Sequence, residues 1–148
     1  MAVMDKVQIL EQIREARRIF LRTLEGLPED VLMRPFVVGF WSIKDVLAHL
    51  TVWQSELITA LANLNPHRTP HIVEIEDIDE WNETQYHSSV RRPVEIVLED
   101  FHNVHKQLLK SVEALDEATL TDGRLFPWME GEPLWYLCLL YTSPSPRD

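Results

Sequence analysis

From Asp5 to Leu24 the apolar residues Ile9, Leu10, Ile13, Ala16, Phe20, Leu21 and Leu24 recur at spacings of three and four, with Arg14, Arg17, Arg18 and Arg22 largely between them. That period predicts an amphipathic helix with one buried stripe. Asp5 with Gln8 three residues later suits a capping box, and Gly26 followed by Pro28 suits the stop. Leu27 to Leu32 reads as a short helical turn inside a connection. A second helix is expected from Ser42, which can cap it, with Asp45 at the capping-box position. Ile43, Val46, Leu47, Leu50, Leu57, Ile58 and Leu61 share its stripe, and Asn65-Pro66 ends it after about Leu64.

Residues 65–77 read as a long loop, and a short helix is expected from about Asp79 to Val90. Pro93 then suits the first turn of a third long helix, whose stripe runs from Val94 through Phe101 and Leu108 to about Leu115. After a connection from Asp116 to Glu132, Pro133 opens a fourth helix. No repeat, heptad run or strand alternation competes with this pattern. The expected fold is all-α, an up-down four-helix bundle whose fourth helix is cut short.

Composition narrows the function. The chain has 148 residues, enough for one domain, and carries 24 acidic against 14 basic side chains for a formal charge of -10. Such a surface is unsuited to neutralising phosphates, so neither nucleic acid nor an anionic membrane is an expected partner. No apolar run is long enough to span a bilayer, and Met1 to Lys6 lacks the layout of a signal peptide, so a cytoplasmic location is expected. The single cysteine, Cys138, excludes an internal disulfide and a zinc site built on paired thiolates.

Candidate chemistry therefore rests on histidines, carboxylates and aromatics. His49 falls about 110° from the centre of the second helix's stripe, at its flank beside Val46 and Trp53. Asp45, one turn earlier, is placed to orient one imidazole nitrogen while the other faces a metal or a substrate. The same position also suits a half-buried histidine packed on Trp53, and the pattern leaves both readings open. His102 and His105 on the third helix have a spacing that can share a metal, although His105 also suits a hydrogen-bonded core or pocket residue. His67, His71 and His87 read as solvated. Trp41, Trp81, Trp128 and Trp135 lie near helix ends, where they seal a bundle or line a pocket mouth.

The last eleven residues, Cys138 to Asp148, break the helical pattern and end in a Ser/Pro string. Read back into codons, they resemble one frame of the mosaic-end adapter used in transposase-based sequencing libraries. The expectation is that residues 1–137 form the bundle domain, incomplete at its C-terminus, and that residues 138–148 are adapter-derived. A bundle missing most of one helix face would lose on the order of 10 kcal/mol, comparable with a whole domain's stability. The expected state is an aggregate, a molten species or an oligomer such as a homodimer, with a neighbour filling the groove.

The run Gly39-Phe40-Trp41-Ser42-Ile43-Lys44-Asp45-Val46-Leu47-Ala48-His49-Leu50-Thr51-Val52-Trp53 resembles the second-helix signature of the DinB-like four-helix-bundle superfamily, which includes bacillithiol and mycothiol transferases. Trp81-Asn82, Arg92-Pro93, Val104-His105-Lys106-Gln107-Leu108-Leu109, Phe126-Pro127-Trp128 and Gly131-Glu132-Pro133-Leu134-Trp135 are similar to its ClbS/DfsB-like subset. The resemblance implies a cytoplasmic bundle whose metal-binding members take one histidine from the second helix and an H-x-x-x-H pair from the last. His49 matches the first ligand, and the other two have no counterpart in this chain.

The resemblance thus implies a parent enzyme holding a divalent metal, zinc or nickel, and acting on thiol conjugates or electrophilic small molecules as a transferase or hydrolase. This chain, with His49 alone of the ligand set, is expected to bind no metal tightly and to be inactive. The subset also has members without the metal triad that resemble a hydrolase opening an electrophilic cyclopropane. The alternative is accordingly a metal-free binding or protective bundle with a small-molecule pocket at Trp53, Trp81, Asn82, His105 and Trp128.

Overall fold

The computed structural model of the chain describes residues 4–142. Asp5 starts α1 (Lys6–Leu24) through the expected capping box, its side chain accepting from the Gln8 amide while Gln8 reaches back. Gly26, at φ +79°, turns the chain after α1. A single turn, α2 (Glu29–Leu32), follows and buries Leu32. Ser42 and Asp45 form the second capping box, opening α3 (Ile43–Ala62).

The remaining elements are α4 (His71–Glu74), α5 (Ile78–Ser89), α6 (Val94–Glu113), α7 (Glu117–Thr121), a 3₁₀ turn at Pro127–Met129 and α8 (Leu134–Leu140). Among the described residues there is no strand, only an isolated antiparallel bridge between Val38 and Trp41. None of the described helices is long and apolar enough to cross a membrane. The all-α expectation holds, with three long helices and a short last one.

The central helix is α3. It packs most extensively on α6 and also meets α5 and α4, and this is why its N-terminal half is buried well beyond one stripe. Ile9, Ile13, Leu57, Leu108, Val112 and Leu134 belong to the larger core cluster, and Leu47, Leu50, Val97 and Phe101 to a smaller one. Lys44 is buried at the start of α3 because its ammonium donates to the carbonyls of Val90 (2.7 Å) and Arg92 (2.8 Å), just past the end of α5. Those carbonyls have no partner within the helix, so the lysine both caps α5 and fixes its angle to α3.

Several elements differ from the pattern. Helix α3 ends at Ala62 rather than near Leu64, and Asn63 at its C-cap donates from its amide to the Thr59 carbonyl at 2.8 Å. The loop expected at 65–77 contains α4, anchored by Ile72, which is 1% exposed. A four-residue helix is too short to show a period. The connection from Asp116 to Glu132 holds α7 and the 3₁₀ turn, and folds back tightly at Gly123, where a Cβ would lie 2.4 Å from the Gly131 carbonyl oxygen.

Helix α8 does not break at Leu137. It continues to Leu140, with Cys138, Tyr141 and Thr142 buried. Leu137, Cys138 and Tyr141 supply an apolar face that the core accepts, and the Ser/Pro string begins only after them. Burial pushes the Cys138 thiol up to about 12, which leaves it an inert core group. The rest of the adapter-like segment, residues 143–148, lies outside the described residues.

The largest departure is Arg17, expected among the polar positions of α1. It is 5% exposed. Its Nη1 donates to the Phe101 carbonyl at 2.8 Å, its Nη2 to Gln54 Oε1 at 2.7 Å, and its Cζ lies 3.6 Å from the centre of the Phe101 ring. Gln54 in turn donates from Nε2 to the Tyr141 carbonyl at 3.3 Å. Burial lowers the Arg17 pKa to about 10, so it remains a cation at neutral pH. Arg17→Met is expected to cost about 2–4 kcal/mol, because it strands the buried Gln54 Oε1 and removes two charge-assisted hydrogen bonds. Adding Gln54→Leu should recover part of that loss, and urea unfolding of the two single variants and the double variant measures the coupling.

Candidate functional site

His49 lies on α3 and is 6% exposed. Its ring centroid is 5.1 Å from Trp41 and 6.4 Å from Trp53. Trp41 stacks on Tyr86 of α5, with centroids 5.8 Å apart and planes 3° from parallel. Trp53 donates from its indole nitrogen to Asn82 Oδ1 at 2.9 Å, tilts against Trp81 at 5.9 Å and stacks on Tyr141 at 5.2 Å. The imidazole is therefore held in an aromatic box between α3 and α5. Rings at these separations attract one another beyond the area they bury.

The first helical turn supplies the polar end of the box. Asp45 is buried, and its Oδ2 accepts from both the amide and the hydroxyl of Ser42 at 2.9 Å. The carboxylate expected to orient His49 thus also serves as the cap of α3. A cavity of about 10 Å³, at the lower limit for one water, lies among Trp41, Asp45, His49, Asn82, Gln85 and Tyr86.

Outside it, a cleft of about 440 Å³ is lined by Val38, Phe40, Trp41, Asp79, Asn82 and Tyr86. Trp41, Asn82 and Tyr86 border both spaces, so they form the partition between cleft and imidazole. The turn Gly39-Phe40 closes the outer wall, with Gly39 at φ +60° and Phe40 edge-on to Tyr86 at 5.8 Å. Phe36, Val38 and Phe40 are more than half exposed at this rim.

Of the residues expected to share a pocket, Trp53, Trp81 and Asn82 do converge near His49. Trp81 is half-buried, and its Nε1 has no hydrogen-bond partner among the described residues. Trp128 packs on Phe126 at 5.0 Å and donates to the Asn65 carbonyl at 3.0 Å, sealing the core where the long loop leaves α3. His105 lines a different groove, with His102, Arg14, Arg17, Arg18 and Arg22. Guanidinium groups on that groove oppose a divalent cation at the His102/His105 pair. His71 stays exposed as expected, yet it sits on α4, 3.2 Å from Glu56 Oε2 and edge-on to Trp81 at 5.3 Å.

Sequence reasoning passed over Tyr86 and Tyr141. Asn82 and Tyr86 are four apart on α5, a spacing that puts both on one face and could have marked Tyr86 once Asn82 was chosen.

A family model described as the DinB superfamily matches residues 12–140. The chain belongs to that superfamily. No curated protein and no solved structure matches it. Membership in the DinB superfamily agrees with the helical architecture.

His105 provides a pH test. Burial, then Arg17, Arg14 and His102, lower its pKa from 6.5 to about 4, so the folded chain holds it neutral where the unfolded chain would protonate it. The unfolded state binds the extra proton between those values, and stability should fall as pH drops from 6.5 towards 4. His105→Gln should flatten that part of the curve of urea midpoint against pH. An unchanged slope would place the acid sensitivity elsewhere.

Proposed function

We propose that this DinB-superfamily chain takes up an electrophilic small molecule or an aromatic thiol conjugate in the cleft between the Gly39-Phe40 turn and α5, without a metal. The supporting observation is the shared partition: Trp41, Asn82 and Tyr86 face the cleft on one side and the His49 chamber on the other. A cleft of about 440 Å³ walled by the rings of Phe40, Trp41 and Tyr86, with the Asn82 amide and the carboxylates of Asp79 and Glu83 as its polar groups, has the size of an ordinary small-ligand site. Parting of the Trp41–Tyr86 stack would bring a bound electrophile to the imidazole. There His49 can accept a proton from an attacking water or thiol.

The donor set does not fit a resident divalent ion. Around His49 stand indoles, a phenol, amides and one carboxylate, Asp45, which is engaged in capping α3, and among the described residues no three His, Cys, Asp or Glu side chains form a metal-ligating group. A single imidazole leaves such an ion mostly hydrated. The second reading, a metal-dependent transferase or hydrolase, rests on His49 alone as the match to the superfamily's first ligand.

Titration with S-(2,4-dinitrophenyl)glutathione, followed by tryptophan fluorescence and calorimetry, tests the proposal. Saturable quenching is expected in the presence of a chelator. Tyr86→Ala or Asn82→Ala should weaken binding about tenfold, the worth of about 1.4 kcal/mol. Quenching that the chelator abolishes, together with a stoichiometric metal lost in His49→Ala, would replace this reading with the metal-dependent one.

A further inference from the structure

The chain is acidic overall, yet one face of α1 is not. Arg14, Arg18 and Arg22 follow at intervals of four, so three like charges line up along the helix, and like charges at that spacing repel and destabilise it. The helix dipole accounts for Arg22 in the last turn but not for Arg14. Arg18 is paired with Glu15; among the described residues no carboxylate comes within ion-pair distance of Arg14 or Arg22. The arrangement has an electrostatic cost that nothing in the packing of α1 requires.

These arginines border an open groove of about 670 Å³ between α1, α2 and α6. Four guanidinium groups, those of Arg14, Arg17, Arg18 and Arg22, face one carboxylate, Glu25. Arg17 is the buried member; two of its five N–H donors are used by Phe101 and Gln54. The bonds from Lys6 to Glu113 and from Arg17 to Phe101 run α1 and α6 antiparallel, so the groove has two distinct ends. Arg14, Arg17 and His105 share one end, where the nearby cations help keep His105 neutral and able to donate a hydrogen bond. Towards the other end the floor becomes apolar, with Leu21, Leu27, Leu32 and Leu98.

We propose that this groove is a binding site for a linear aliphatic carboxylate, its head at Arg14, Arg18 and His105 and its tail over Leu21, Leu98 and Leu27. Charge complementarity selects the head, because a carboxylate matches the guanidinium fork and relieves the repulsion along α1. The leucine floor selects a tail over a small inorganic anion. From Arg14 to Glu25 the helix rises about 16 Å, room for a medium-length chain lying along it. The net negative charge of the protein does not forbid this, since exposed charges beyond about 8–10 Å are screened at physiological ionic strength.

Calorimetry with sodium decanoate on the 148-residue chain tests the site. One decanoate per chain is expected, at least tenfold tighter than acetate, which lacks the tail, or 1-decanol, which lacks the charge. Arg14→Gln with Arg18→Gln should weaken decanoate at least tenfold while leaving dinitrophenyl-glutathione binding and the circular dichroism spectrum unchanged. Leu98→Gln should do the same through the tail and stands in if the double variant fails to fold. No decanoate binding up to ~1 mM, a free energy of only about 4 kcal/mol, would overturn the proposal, as would equal binding of decanol. Pelleting with phosphatidylglycerol vesicles distinguishes the source. Pelleting that decanoate does not compete away would overturn the proposal and assign the arginines to a membrane surface, whereas competition supports the groove.

Discussion

One buried guanidinium joins all four helices of the bundle. Arg17 on α1 donates to the Phe101 carbonyl of α6 and to Gln54 of α3, and Gln54 passes the connection to the Tyr141 carbonyl at the end of α8. A leucine at this position would bury as well, but apolar contacts tolerate sliding of one helix along another. Hydrogen bonds with fixed directions do not. The fork of Arg17 admits one relative height of α1, α3 and α6, since a displacement of a single turn would strand a cation in the core. The Phe101 ring beneath the guanidinium and Phe20 edge-on to it at 5.7 Å complete a site that only this register satisfies.

The two candidate sites lie on either side of that junction and owe their opposite characters to it. With α3 held between α5 and α6, its flank carries His49 and Trp53 into a box of rings, where polar atoms are few and the Trp53 indole and the Asp45 carboxylate are engaged by Asn82 and Ser42. On the other side, Arg17 fills the gap between α1 and α6 and leaves the cationic edge of α1 facing a groove. The neutrality of His105 belongs to the same arrangement, because burial and the fields of Arg17 and Arg14 both disfavour its protonated form.

Much of the fold was legible because its signals are local. Asp5/Gln8 and Ser42/Asp45 are short-range capping boxes, and Pro93 and Pro133 mark helix starts through their own backbone restrictions. The burial of Arg17 was not read: position 17, four after Ile13 and three before Phe20, lies on the apolar stripe, but an arginine is buried only where acceptors meet it, and these lie 37 and 84 residues away. Helix α4 was hidden by its length, and the continuation of α8 by a composition that turns to Ser and Pro only two residues after Tyr141. Of the expected pocket, the members on α3 and α5 were found because neighbouring turns of two packed helices meet. His105 and Trp128 sit on elements whose packing no spacing rule specifies.

The partition at the His49 site imposes a further constraint. Trp41 is held by its backbone, which pairs with Val38 in both directions at 2.9 and 3.1 Å, and its ring by the stack on Tyr86. That pairing fixes the backbone from which the indole projects, and opening the partition needs only that one ring of the stack turn about its own side-chain bonds, at a cost of about 0.5–1.5 kcal/mol. The half-exposed Phe40 edge against Tyr86 offers an apolar surface on which a rotated tyrosine, or an incoming aromatic ligand, can rest. Access to the buried imidazole thus depends on the stack between Trp41 and a side chain of α5, the helix whose end is held in place by Lys44. The helix that carries His49 also fixes the helix that covers it.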